Sequence, residues 1–147
     1  MKLLMSFILS TVVFSAFAHE GGHGPAIKDE SLYGGKVTAI ISADEVNKGR
    51  DAKMLYKGEL VHSSRDLDVK VYIYDLNMKP VDLKAFSNKI NAVLLERNAE
   101  KKFELTLDKS GKFFSGMRAK NKRVPFNIDI NLSKGDKKLF GAFDGLD

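Results

Sequence analysis

The 147-residue chain has no cysteine and no tryptophan, and only three histidines and three prolines. Without cysteine there are no disulfides, thiolate metal sites, thiol redox couples or cysteine nucleophiles. No GxSxG elbow, phosphate-cradling glycine loop or HExxH pair occurs in the chain. A serine-type triad would have to use one of the three histidines. His19 and His23 lie in a glycine-rich segment that cannot hold a base within hydrogen-bond reach of a nucleophile. His62 has Ser63 and Ser64 beside it, but neighbours on a strand point to opposite faces and cannot pair. No enzyme is expected.

A long apolar run occurs only at the start. MKLLMSFILSTVVFSAFA places Lys2 before an apolar stretch, residues 3–14, and ends on Ala16-Phe17-Ala18, a small-x-small cleavage site. That layout predicts a secretion signal over residues 1–18 and a periplasmic location. The stretch is short of the roughly 20 apolar residues that a spanning helix needs, so no transmembrane segment is expected in the mature chain. No cysteine follows it to carry a lipid anchor. Taking 18 residues from 147 leaves 129, enough for one domain with its own core.

The formal net charge is +5, falling to +4 once Lys2 is removed, with both signs mixed along the chain. The densest basic run is RAKNKR, residues 118–123. It lacks interleaved stacking aromatics, falls in a predicted turn and belongs to an exported chain, so nucleic acid is not the expected partner. Lysines in such a loop also blunt strand edges.

Residues 19–32, HEGGHGPAIKDESL, offer almost nothing to bury and predict a flexible mature N-terminus. From residue 33 the chain reads as short strands between turns. Leu67, Val69, Val71 and Ile73 alternate with polar residues, as do Phe126, Ile128, Ile130 and Leu132, which is the period of a strand with one face inward. Further strands are predicted over 35–42, 54–62, 90–96, 103–107, 113–116 and 138–143, with turn residues at 75–80, 98–101, 108–111 and 134–136. The helical candidate is residues 80–89, which Asp82 would cap. Seven to eight strands at spacings of about 8–12 residues predict an all-β, immunoglobulin-like antiparallel β-sandwich over residues 33–147.

The distinctive chemistry is His19-Glu20-Gly21-Gly22-His23-Gly24. After cleavage at Ala18, His19 offers its α-amino group and imidazole to one metal. His23 can fold back across two glycines, and Glu20 can add an oxygen. Amine and imidazole nitrogens suit copper(II), nickel and zinc, and an α-amino pKa near 8 lets the amine bind at neutral pH. His62 joins the set if the segment folds back over its strand. The three methionines of the mature chain, Met54, Met78 and Met117, form no cluster for copper(I).

Several segments carry a resemblance: Gly34-Gly35-Lys36-Val37, then Glu59-Leu60-Val61, then Val71-Tyr72-Ile73-Tyr74-Asp75 with Lys79-Pro80-Val81, and finally Phe113-Phe114-Ser115-Gly116 before Pro125-Phe126. Over residues 34–132 the chain resembles the small periplasmic β-sandwich modules associated with heavy-metal efflux adaptors, and YtkA-like and FixH-like domains. The resemblance implies a sandwich fold, metal handling in the envelope and a metal-efflux or other envelope partner. Metal-binding members carry histidines just before the paired glycines and before the second strand. Here Leu32-Tyr33 and Tyr56-Lys57 stand there instead. The expected function is therefore a non-enzymatic copper- or zinc-handling protein using His19, Glu20, His23 and His62. The alternative is an envelope interaction module presenting an edge strand or the basic loop, with no metal role.

Overall fold

The computed structural model describes residues 24–147. Eight strands form in chain order: β1 (Lys36–Ser42), β2 (Met54–His62), β3 (Asp68–Tyr74), β4 (Lys89–Glu96), β5 (Ala99–Leu107), β6 (Phe114–Met117), β7 (Phe126–Lys134) and β8 (Lys137–Leu146). Every pairing is antiparallel, and the ladder runs β1-β2-β3-β6-β5-β4-β7-β8 before returning to β1 as a closed barrel. The all-β antiparallel expectation holds. The two separate sheets expected of an immunoglobulin-like sandwich do not describe this ladder, which is continuous. Alternating in/out residues suit a sandwich and a barrel equally, so the pattern does not choose between them. Closure rests on two narrow seams: Thr106↔Ser115 with Leu107↔Phe114 between β5 and β6, and residues 40–42 against 139–141 between β1 and β8.

The alternating residues predicted from sequence point inward except Leu67, which stands just before β3 with φ 59° and is only partly buried. Val69, Val71, Ile73, Ile90, Leu94, Leu105, Phe126, Ile128 and Ile130 are all fully or almost fully buried in one core. Each such side chain contributes about 2 kcal/mol on leaving water. Ile40 is accommodated by two glycines. A Cβ on Gly58 would lie 3.0 Å from its Cδ1, and one on Gly141 would lie 2.5 Å away. Small residues across β2 and β8 thus make room for a large one on β1, as a narrow barrel requires.

A second apolar cluster lies on the outer face of β1 and β8, built from Ala39, Ile41, Ala52, Phe140 and Ala142. It is covered by Ile27, Met54 and the 3-10 segment Ala43–Asp51, which is broken at Gly49 (φ 53°). The helical candidate at 80–89 reduces to one 3-10 turn, Leu83–Ala85, and Asp82 caps it by accepting from the Lys84 N–H at 3.0 Å.

Candidate functional site

His19, Glu20 and His23 lie outside the described residues. His62 is the last residue of β2 and stands at the barrel end where β2, β6 and β8 finish and β7 begins. Its ring packs edge-on against Phe126, with centroids 5.6 Å apart, and its Nδ1 is buried with no hydrogen-bond partner among the described residues. Burial, reinforced by the charge of Arg118 and opposed by Asp147, holds its imidazole below the ordinary value. Beside it is an open cleft of about 440 Å³ lined by residues that include Gly34, Lys36, Ser64, Gly145 and Asp147. Neutral imidazole is the metal-binding form, but a guanidinium nearby disfavours a second cation. Among the described residues no three His, Asp or Glu side chains come together to hold a metal. A copper or zinc site therefore needs donors from beyond them.

The segment leading out of the histidine-bearing tail carries more contact than its composition implies. Gly24 lies against the outer cluster, where an added Cβ would be 3.3 Å from the Ala39 Cβ and 3.6 Å from the Ile41 Cγ2. Asp29 pairs with the Lys57 ammonium, which also donates to the Leu76 carbonyl at 2.7 Å. Tyr33 stacks on Tyr72 with ring centroids 4.2 Å apart and planes 15° from parallel.

Glu59 makes the firmest connection. This carboxylate is completely buried, yet it accepts the N–H groups of Leu32 (3.0 Å), Tyr33 (2.8 Å) and Gly35 (2.9 Å) and the hydroxyl of Tyr74 (3.0 Å). Burial works against its ionisation, but the bonds from Gly35, Tyr33, Leu32 and Tyr74 outweigh that, so its pKa lies below the usual carboxylate value. Burial and the bond to Glu59 push the Tyr74 hydroxyl well above its ordinary range, so it stays a donor. The three backbone contacts form a clasp that fixes the chain just before β1, and the Tyr74 hydroxyl, from β3, holds the carboxylate in place.

Lys57 and Glu59 carry no signal of this in the sequence. They alternate with the inward residues of β2 and read as its solvent face, because the segment that covers them lies 24–28 residues upstream. The β1–β2 register pairs Lys36 with Leu60 and Ile41 with Met54. Gly24 and His62 therefore sit towards opposite ends of β1, roughly 20 Å apart along the strand direction. Compared with protein-family models, curated proteins and solved structures, the chain matches none.

Proposed function

We propose that this is an exported, non-enzymatic protein that binds and passes on copper or zinc in the periplasm. In this reading the metal is held by His19, through its amine and imidazole, with His23 and Glu20, and the barrel is the body that carries them. The observation behind it is the Glu59 clasp. A buried carboxylate is costly unless it is paired and fully hydrogen-bonded, and here that expense goes into fastening the chain that leads directly out of the histidine segment. His62 faces a cleft at the far end and lies near Arg118, so it joins the site only when the tail crosses the barrel.

The same reading keeps the kinship with envelope sandwich modules. If the two narrow seams parted, the ladder would divide into β1-β2-β3-β6 and β5-β4-β7-β8, two four-stranded halves facing each other. A metal-efflux or other envelope protein is the partner that would receive the ion.

Titration of copper(II) and zinc into mature protein beginning at His19 tests the assignment. One-to-one binding is expected, and it should disappear when one residue is added ahead of His19 or when His19→Ala and His23→Ala are combined. His62→Ala should bind as wild type does. Undiminished binding in the His19/His23 double variant would overturn the site.

A further inference from the structure

The basic run of residues 118–123 forms most of the β6–β7 connection, and the barrel shapes it from beneath. The Arg118 guanidinium is buried, 3% exposed, and lies 4.8 Å over the Phe126 ring. Its Nη1 donates to the Ala119 carbonyl at 3.1 Å and to Asn121 Oδ1 at 2.8 Å. Asn121 in turn donates to the Arg123 carbonyl at 3.0 Å. Glu96 Oε1 accepts the N–H groups of Lys122 and Arg123 at 2.5 and 2.8 Å. Its other oxygen pairs with Lys101, whose ammonium also donates to the Lys120 carbonyl.

These bonds turn the loop's backbone inward and leave the side chains of Lys120, Lys122 and Arg123 outside. Among the described residues none of the three takes part in an ion pair. Two large apolar side chains bracket them: Met117 is 66% exposed and Val124 is 62% exposed. A loop that only needs to be soluble gains nothing from protruding apolar side chains at both ends of a cationic run.

We infer that this corner of the barrel docks on an anionic phospholipid surface. Three cations provide the attraction to lipid phosphates, and Met117 and Val124 reach into the interface between headgroups and acyl chains. Because Arg118 and Glu96 already hold the loop's shape, little ordering entropy is lost on contact. An acidic protein surface would use the cations but would leave Met117 and Val124 in water unless it brought matching pockets. Asp68, opposite Met117 in the β3–β6 register, is exposed and works against the contact. Docking by this end leaves Gly24, on the far part of β1, turned away from the membrane. The inference relies on export from the cytoplasm and is independent of the metal reading.

Co-sedimentation of the mature protein with vesicles tests it, using equal parts phosphatidylglycerol and phosphatidylcholine against phosphatidylcholine alone. Wild type should pellet with the anionic vesicles and be released by raised salt. Each cation near such a surface is worth about fivefold in partitioning, so Lys120→Ala/Lys122→Ala/Arg123→Ala should lose about a hundredfold. Met117→Ser/Val124→Ser should lose about tenfold without changing the salt dependence. Asp68→Asn should bind more tightly than wild type, and Lys109→Ala/Lys112→Ala, at the opposite end, should match wild type. No binding by wild type, a triple variant that binds as wild type does, or equal loss in the control pair would overturn the inference. Retention on poly-glutamate without vesicle binding would overturn it in favour of an acidic protein.

Discussion

The two ends of the barrel are closed by different means. At the end carrying the β3–β4 and β5–β6 connections, those two connections are closed by their own aspartates. Asp75 accepts from Asn77 and Lys79, Asp82 from Lys84, and Asp108 from Ser110, all two to four residues away. At the other end and on the adjoining face of β2, the acceptors are Glu59 and Glu96, whose backbone donors are 24–27 residues away in sequence. A turn with its own aspartate can form before the barrel exists. A clasp on Glu59 forms only once β2 is in place. The first kind of closure should be locally robust and individually cheap to lose, the second costly and cooperative.

The largest test of that contrast is Glu59→Ala. It strands three backbone N–H groups and the Tyr74 hydroxyl, and should lower unfolding stability by about 3 kcal/mol in urea. Asp108→Ala, which removes a local acceptor, should cost about 1 kcal/mol in the same measurement. Equal costs would remove the distinction between the ends.

Acid sharpens the comparison. The Glu59 pKa in the folded state is lowered, so its contribution is complete above the unfolded carboxyl value of about 4.3 and fades as pH falls through the lower, folded one. Denaturation curves should therefore show the stability gap between wild type and Glu59→Gln closing on acidification below about pH 5. A gap that widens would reverse the sign of the argument.

The smallest effect is expected from Arg118→Met. A linear apolar side chain replaces a buried guanidinium that has no acidic partner among the described residues, so global stability should move by less than about 1 kcal/mol. Amide exchange at Lys122 and Arg123 should nevertheless speed up, because the loop loses its bonds to Ala119 and Asn121.

What was legible in the sequence follows the same division. The alternation over residues 67–75 and 125–132 located β3 and β7 to within a residue or two, and Asp82 and Asp108 marked their own turns. All of these are local patterns. Closure into one barrel was not legible, because it depends on strand neighbours as distant as β1 and β8. Lys57 and Glu59 looked like a solvent face, and Arg118 looked like part of a solvated basic run. Their burial comes from residue 29 onward in one case and from Phe126 in the other. His62 stood out by residue type, but nothing in the sequence placed a guanidinium near it.

Ile40, lodged against Gly58 and Gly141, and the buried side chains packed around it, among them Leu60, Val71, Leu94, Ile128 and Phe143, fill the bore of this barrel. A plugged barrel is a handle and not a vessel. Any ligand of this barrel must be bound on its exterior, where it can come and go without the barrel opening.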